Sequence, residues 1–222
     1  MTFAERVLKF NKTLRLNKVL PAGVVTLNPY QDEAAFNLSG QFYKKYYDDQ
    51  AERTLIIGIN PGRFGGGITG VPFTDPIKLQ TNCSIENDLP KKTELSADFI
   101  YKMIEEYGGP EKFYKKFYIT AVSPLGFTKD GKNLNYYDIK ELQESLLDFI
   151  LDCFRIQIAF GVNTDVCYCL GEGNNFKFLS RLNEKYNFFK TIIPLPHPRF
   201  IMQYRRKHLG EFIAMYLKKL NA

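Results

Sequence analysis

The chain has 222 residues, of which 45% are hydrophobic and 24% are charged, and these values indicate one globular domain with a real core. The 30 lysines and arginines outnumber the 24 aspartates and glutamates, which gives a net charge of +6 and suits a polyanionic partner without establishing one. The sequence start lacks the apolar core of a signal peptide, and no run approaches the length of a membrane span. A cytoplasmic protein without membrane association is therefore expected.

The four cysteines show no spacing that favours a metal or redox site. They are Cys83, Cys153, Cys167 and Cys169, and their one close pair, C-Y-C, is not the C-x-x-C of zinc or redox sites. An iron–sulfur cluster of all four is a formal alternative, although cluster ligands usually come in tighter sets. Buried thiols in a reducing cytosol are the simpler interpretation, and no metal or cofactor is expected.

The first fifty residues predict a helical extension. F-A-E-R-V-L-K-F-N-K-T-L has the period of an amphipathic helix, with Val7, Phe10 and Leu14 among its apolar positions. A short extended piece, P-A-G-V-V-T-L-N-P, follows it, and residues 31–47 again predict a helix. We expect residues 1–50 to pack on the remainder of the chain, so that residues 1–222 form a single domain.

Beyond residue 50, apolar runs alternate with helical patterns. Strands are predicted at 53–59, 116–122, 155–161 and 190–195. Helices are predicted at 93–107, 138–153, 163–170, 176–186 and 203–220. The strands are continuously apolar, as strands covered on both faces should be, and the alternation predicts parallel pairing. The expected fold is an α/β three-layer sandwich, with a short, mostly parallel central sheet of about four strands and helices on both faces.

In folds of this class the ligand binds at the carboxyl ends of the strands. Three loops should meet there: a glycine-rich stretch after the first strand, A-V-S-P-L-G-F after the second, and L-P-H-P-R-F after the fourth. The glycine-rich stretch reads N-P-G-R-F-G-G-G-I-T-G-V-P-F. A backbone this permissive is typical of loops that pass close to a ligand.

The glycine-rich stretch has three interpretations. Residues 65–70 match the G-x-G-x-x-G of dinucleotide-binding turns, but these glycines come late after the strand. The prolines of V-P-F-T-D-P are not expected to open the helix that a pyrophosphate would need. A purely structural turn is the second interpretation, and the third comes from a resemblance.

N-P-G-R-F-G-G-G-I-T-G-V-P-F resembles the first motif of the single-strand-selective monofunctional branch of the uracil-DNA glycosylase superfamily. That motif has Asn-Pro-Gly, then Phe-Gly, then Thr-Gly-Val-Pro-Phe at the same spacing. L-P-H-P-R-F is similar to the His-Pro-Ser-Pro loop of the superfamily, in a degenerate form. The resemblance extends from about residue 53 to the end. It implies the same fold and an enzyme that cleaves the N-glycosidic bond of a base flipped out of DNA.

The resemblance also implies roles for individual residues. Asn60 would orient the attacking water, and His197 would donate a hydrogen bond to the departing base. Aligning the second motif on Pro-Arg would put Leu195 in place of His197, and we prefer His197 because leucine has no side-chain donor. Phe73 would stack on the base. The expected base pocket consists of Ile59, Gly62, Phe64, Phe73, Ala121 and Ser123.

Contacts with DNA are implied at two places. Arg199 and Phe200 would enter the duplex and fill the gap left by the flipped base. The residues that would face phosphates are Arg63, Arg205, Arg206 and Lys207, with Lys129 and Lys132 as weaker candidates on the other flank. A solvated helix start is the alternative for residues 205–207.

The sequence departs from the resemblance at one position of the pocket. The branch has a base-reading asparagine after its second strand, and this chain has Ala121 there. Because an alanine side chain cannot read a base edge, either another group does so or the substrate is not simply uracil. Ser123, Asn133 and Asn135 are candidate readers. The glycines of residues 65–67 also leave room for an altered purine, such as xanthine or hypoxanthine.

The expected function is that of a monofunctional DNA glycosylase of base-excision repair. It would act as a monomer, without metal or cofactor, on single- or double-stranded DNA that carries uracil or a related deaminated base. No lysine stands out as a Schiff-base nucleophile, so strand nicking is not expected. Two alternatives stay open: a non-catalytic nucleic-acid-binding module on the same fold, and a hydrolase of free nucleosides or nucleotides, whose substrate binding would depend little on salt.

Overall fold

A computed structural model describes residues 1–221, so only the last position of the predicted domain 1–222 lies outside the described residues. Its helices are α1 (Phe3–Thr13), α2 (Glu33–Tyr47), α3 (Gly66–Thr69), α4 (Pro76–Thr81), α5 (Leu95–Tyr107), α6 (Pro110–Lys116), α7 (Lys140–Ile158), α8 (Asn174–Tyr186), α9 (Pro198–Tyr204) and α10 (Leu209–Leu220). Its strands are β1 (Val24–Leu27), β2 (Arg53–Gly58), β3 (Phe117–Ala121), β4 (Gly126–Lys129), β5 (Lys132–Leu134), β6 (Val162–Leu170) and β7 (Thr191–Leu195).

The central sheet contains, within residues 1–221, four parallel strands in the order β3-β2-β6-β7. The interior position of β2 suits its sequence, since Leu55, Ile56 and Ile57 are buried on both faces. Helices flank this sheet, so the predicted α/β fold is confirmed. The chain moves from β2 to β3 on one side and later to β6 and β7 on the other. The connections therefore reverse direction between β2 and β6, where folds of this class leave a crevice.

One predicted strand and one predicted helix are wrong. Residues 155–161 belong largely to the end of α7, and residues 163–170 form most of β6. The apolar run of 155–161 continues a helical stripe in which Leu146, Ile150 and Phe154 are buried at intervals of four residues. Gly161, with a φ of +84°, then turns the chain into β6.

The predicted helix at 203–220 is divided in the structure. Its first residues belong to α9, and α10 begins only at Leu209, after a break at the exposed run R-R-K-H. These four residues offer no apolar side chain to hold a helix against the core. The expectation that V-P-F-T-D-P opens no helix is also wrong, because Pro76 is the first residue of α4 and Asp75 caps it.

A second sheet, which the sequence analysis did not predict, is antiparallel and has the order β1-β4-β5. Its β4–β5 hairpin turns at Asp130 and Gly131, whose φ angles are +50° and +69°. An Asp-Gly pair is a strong signal for a two-residue hairpin turn of this kind. This sheet brings the chain after β5 next to the glycine-rich loop.

Helix α1 packs on α2, and its residues Phe3, Val7 and Phe10 are buried in the same core as the central sheet. The four cysteines are buried, and no group of three or more metal-binding side chains occurs within the described residues. The iron–sulfur alternative therefore has no support from their positions. Among residues 1–221, no helix combines the length and apolarity needed to cross a membrane.

Candidate active site

The loops that follow the parallel strands meet at one edge of the central sheet. Backbone pairing continues past the ends of β2 and β3, since the N–H of Val122 donates to Gly58 O and that of Ser123 to Ile59 O, at 3.0 and 3.1 Å. A Cβ at Gly58 would lie 2.9 Å from the ring of Phe73. The absence of this atom lets the aromatic ring lie over the end of β2, although Phe73 itself adopts an unfavourable φ of +52°.

A cavity and an open cleft adjoin at this edge. The cavity has a volume of about 40 Å³, room for about three waters, so it admits the edge of a planar ring rather than a whole nucleoside. The cleft outside it has a volume of about 370 Å³. The residues that line both are Ile59, Asn60, Gly62, Phe73 and Glu94. The two spaces therefore form one path from solvent into the interior.

Asn60 is held rigidly at the junction of the cavity and the cleft. Its Nδ2 donates to Leu134 O at 3.1 Å, and its Oδ1 accepts from the N–H of Tyr136 at 3.0 Å. These bonds tie the glycine-rich loop (residues 59–73, below called the glycine loop) to the chain that follows β5. An amide oxygen has two lone pairs, so Oδ1 retains one that can accept from a water molecule.

Asn175 is a further polar residue at this edge that the sequence analysis missed. It is buried, and its Nδ2 donates to Gly58 O at 3.3 Å and to Leu170 O at 3.0 Å. Its Oδ1 accepts from the hydroxyl of Tyr136 at 3.0 Å. The side chain thus links the ends of β2 and β6 across the crevice and fixes the segment that holds Asn60. No sequence motif marks this role, because the partners lie far apart along the chain.

His197 lines the cleft as the N-cap of α9, with its ring 6.0 Å from that of Phe73. Its Nδ1 accepts from the backbone N–H of Arg199 at 3.1 Å. The neutral ring must then carry its proton on Nε2, which can donate to a ligand. Burial, with a smaller contribution from the Arg199 charge, lowers the pKa of His197 to about 4. The imidazole is therefore a neutral donor at physiological pH.

We expect the ring of His197 to titrate near pH 4 in the folded protein. The ordinary value is 6.5, and both burial and Arg199 disfavour the imidazolium ion. Nuclear magnetic resonance of the imidazole Cε1 proton, assigned with the His197→Gln variant, measures this midpoint directly. A midpoint close to the ordinary value would contradict the assignment of a permanently neutral donor.

Glu94 is a second titratable group at the site, and it was also missed. Its carboxyl lines the cavity and lies against the glycine loop, where a Cβ at Gly65 would overlap it. Burial, and then the Asp75 carboxylate, raise the pKa of Glu94 to about 7, which Arg199 partly opposes. Its backbone N–H donates to Asp75 Oδ2 at 2.9 Å. The group is therefore close to half protonated at neutral pH, at the edge of the cavity.

The structure brings most, but not all, of the predicted pocket residues together. The predicted residues that line the cavity are Ile59, Gly62, Phe73 and Ala121. Phe64 instead borders a separate surface groove, where Arg63 and Lys92 lie over its ring at 4.5 and 5.1 Å. Ser123 does not line the cavity either, because its buried hydroxyl donates to Leu125 O at 2.8 Å. These two pocket assignments are wrong.

The structure also shows where the alternative base readers lie, and where Leu195, the alternative to His197, lies. Asn133 and Asn135 line the outer cleft rather than the cavity, and Asn133 Oδ1 already accepts from the N–H of Arg63. Leu195 is fully buried as the last residue of β7, so the alignment that puts it in place of His197 would leave no side chain in the cleft.

Two of the predicted DNA-contacting residues line the cleft, and the others lie on neighbouring parts of the surface. Arg199 and Phe200 are exposed and line the cleft, and the ring of Phe200 lies 5.8 Å from that of Tyr204. Arg205 and Arg206 are exposed in the break between α9 and α10. Arg63 is exposed in a groove that Arg199 also lines, and its guanidinium donates to the hairpin carbonyl of Gly131. Lys132 lines the groove beside it.

Two comparisons with known proteins bear on this site. The sequence model of the Uracil DNA glycosylase superfamily matches residues 44–221. The crystal structure of wild-type SMUG2 from Pedobacter heparinus is similar to this chain, with a TM-score of 0.97 and 46% sequence identity, over 100% of this chain and 97% of that one. The chain therefore belongs to the uracil DNA glycosylase superfamily.

The resemblance found in the sequence is confirmed by both comparisons. The chain is a DNA N-glycosylase, a hydrolase of base-excision repair whose substrate is DNA. Both comparisons favour a DNA glycosylase over the two alternatives, a module without catalytic activity and a hydrolase of free nucleosides or nucleotides.

Proposed function

We propose that the chain removes uracil and related deaminated bases from DNA by hydrolysis, with the edge of the base in the cavity and the sugar in the cleft. The observation that carries this proposal is the joint position of Asn60 and a neutral His197 beside Phe73 on one path into the interior. The described residues of a single chain complete this path, which supports a monomeric enzyme. A nucleotide flipped out of the DNA would insert the edge of its base between the glycine loop and α9.

His197 stabilises the departing base. As the N-glycosidic bond breaks, negative charge develops on the base and positive charge on the sugar. The Nε2–H of the neutral imidazole donates to the base oxygen that gains charge. Phe73, whose ring lies over the end of β2, stacks on the base and fixes the plane of the base. A neutral donor of this kind needs no proton from solvent, so its contribution persists across the physiological pH range.

Asn60 orients the attacking water. The fixed amide offers the remaining lone pair of Oδ1, while its other bonds prevent the side chain from rotating away. An amide is a poor base, but orientation is sufficient when the sugar has the character of a cation. Because no described lysine lines the cavity or the cleft, the strand stays intact after base removal.

The substrate range follows from the walls of the cavity. Ala121 lines it and supplies no hydrogen-bonding side chain, which relaxes discrimination against bases other than uracil. We therefore include hypoxanthine and xanthine, which carry the same adjacent carbonyl and N–H groups as uracil, among the substrates.

DNA binding depends on the exposed cations beside the cleft. Replacing both Arg205 and Arg206 by alanine should weaken binding to any DNA sequence, because these residues would face phosphates rather than bases. The slope of the logarithm of the DNA-binding constant against the logarithm of the salt concentration should decrease in magnitude by about 1 for each arginine removed. Fluorescence anisotropy between about 50 and about 200 mM salt measures this slope. Arg155→Ala, which removes an exposed arginine paired with Asp152 on α7, is the control and should leave the slope unchanged.

The proposal is tested with oligonucleotides that carry uracil, 5-hydroxymethyluracil, hypoxanthine or xanthine in single- and double-stranded form. Alkaline cleavage of the abasic product reports excision. We expect excision of uracil and of at least one deaminated purine, with His197→Ala strongly reduced on both. An enzyme that excises none of these bases would refute the proposed substrates, whether or not it binds DNA.

A further inference from the structure

Two buried side-chain atoms of the described residues lack a hydrogen-bond partner, and both belong to residues that line the cavity. They are Nδ2 of Asn11 and Oε2 of Glu94. Buried polar groups are almost always paired, because an unpaired one lowers the stability of the fold. Their position in the cavity that Ala121 also lines therefore points to a partner that the folded chain does not itself supply.

Asn11 comes from α1, far in sequence from the motifs of the active site. It follows Val7 by four residues on the face of the helix that also carries Phe3 and Phe10, and it is only 2% exposed. A leucine there would suit this apolar face as well as its neighbours do. An asparagine in this place is thus better explained by a ligand in the cavity than by the packing of α1 on α2.

We propose that Asn11 reads the hydrogen-bonding edge of the flipped base, in the role that the side chain at position 121 cannot fill. The proposal rests on the proposed function and deepens it. An amide offers both a donor and an acceptor. Uracil and the deaminated purines each present a carbonyl next to a ring N–H, which this pair of groups matches. Cytosine and adenine present an amino group next to a ring acceptor instead.

Glu94 is the other candidate, and its chemistry fits this role less well. Its carboxyl lies against Gly62 and Gly65 on the wall formed by the glycine loop. When ionised it only accepts hydrogen bonds, so it cannot donate to a base carbonyl. The Asn11 amide keeps its donor at every pH. An assay at about pH 8.5, where Glu94 is mostly ionised, therefore separates the two candidates.

The test compares Asn11→Leu with Asn183→Leu. Asn183, on α8, both donates to and accepts from the backbone of Phe189 at 2.8 Å and lies outside the cavity and the cleft. Each variant is assayed for its melting temperature, for single-turnover excision of uracil and hypoxanthine, and for binding to DNA with a tetrahydrofuran abasic analogue, which has no base.

Asn11→Leu should lower the excision rate constants of both bases about 10- to 100-fold, the cost typical of one lost hydrogen bond in a buried site. Its melting temperature should stay the same or rise, and its affinity for the abasic analogue should not change. Asn183→Leu should show the reverse pattern, with a lower melting temperature and wild-type excision. In the Asn11→Leu background, Asn at position 121 (Ala121→Asn) should restore part of the lost rate, since it returns an amide to the same cavity.

An Asn11→Leu enzyme that excises both bases at the wild-type rate would overturn this assignment. So would a loss of abasic-DNA binding in parallel with activity, because that result indicates a general structural role. If Glu94→Leu, but not Asn11→Leu, lowers excision at about pH 8.5, Glu94 rather than Asn11 is the reader. A wild-type enzyme that excises no base would refute the proposed function itself, and this inference with it.

Discussion

Replacement of Asn60 by alanine should lower the single-turnover rate constant for base excision by about 10³-fold, within the range typical of groups that activate or position a reacting water. The amide bridges Leu134 O and the N–H of Tyr136 at the junction of cavity and cleft. Its removal takes away both the group that orients water and the anchor of the glycine loop. Rapid-quench kinetics with enzyme in excess over a uracil-containing oligonucleotide measures the chemical step without product release.

A control separates the lost orientation of water from simple destabilisation. Asn163 also fixes backbone through its amide, since its Oδ1 accepts from the N–H groups of Asp165 and Val166, but it lies at the start of β6, away from the cleft. Asn163→Ala should lower the melting temperature and keep the wild-type rate constant. If Asn60→Ala keeps a rate constant within about tenfold of wild type, a change of about 1.4 kcal/mol in activation free energy, another group orients the water.

Replacement of Glu94 by glutamine should stabilise the fold more at alkaline than at acidic pH. The folded-state pKa of about 7 lies above the ordinary value of 4.5. Between these two pH values the unfolded chain therefore binds fewer protons than the folded one, and this group lowers stability as the pH rises from about 4.5 to about 7. Because the glutamine side chain does not titrate, the variant does not lose this stability as the pH rises.

The free energy of unfolding of Glu94→Gln, relative to wild type, should be higher at about pH 8.5 than at about pH 5, by roughly 2 to 3 kcal/mol. Urea denaturation of both proteins at the two pH values measures the difference. His197 titrates in the same window with the opposite sign, because its depressed pKa lowers stability as the pH falls from 6.5 towards 4. Both proteins carry His197, so its effect cancels in the comparison.

The matched control for this experiment is Glu184→Gln, which changes an exposed glutamate on α8. It should alter stability by the same small amount at both pH values. Equal effects of Glu94→Gln at the two pH values would show that the carboxyl is ionised normally in the folded protein. The account of Glu94 as a buried, half-protonated group would then be wrong.

Features encoded within one short stretch were predicted well from the sequence. The glycine loop and the loop that carries His197 each combine a strand end with a distinctive run of residues. Their meeting point follows from parallel pairing, which puts all strand ends with the same polarity at one edge of the sheet. Strands β2, β3 and β7 were predicted within one or two residues because their apolar runs are continuous.

The errors around α7 and β6 show the limits of apolar runs as a guide. R-I-Q-I-A-F-G contains β-branched and aromatic residues, but Phe154 and the preceding buried positions extend a helical stripe through it. In β6, Val162 and Cys167–Leu170 are buried but the residues between them are not, so its pattern was interpreted as a short helix. Burial in the tertiary structure, rather than local propensity, determines the secondary structure of both segments.

The parts of the site that the sequence did not reveal depend on contacts between distant segments. Asn11, Glu94 and Asn175 reach the same edge of the sheet from α1, from the loop before α5 and from α8. None belongs to a motif, and asparagine and glutamate are ordinary residues in helical segments. One signal was available for Asn11, because a polar residue at a position spaced with Val7 and Phe3 interrupts an otherwise apolar stripe.

The most direct test of the central claim is mass spectrometry of the reaction products before any alkali is added. A single-stranded oligonucleotide with one uracil is incubated with wild-type enzyme and, in parallel, with Asn60→Ala. Hydrolysis in the cavity predicts free uracil and a full-length strand in which a hydroxyl group has replaced the base, both nearly absent with the variant. A strand cut at the lesion, an enzyme–DNA adduct trapped by borohydride, or no free base at all would contradict the account.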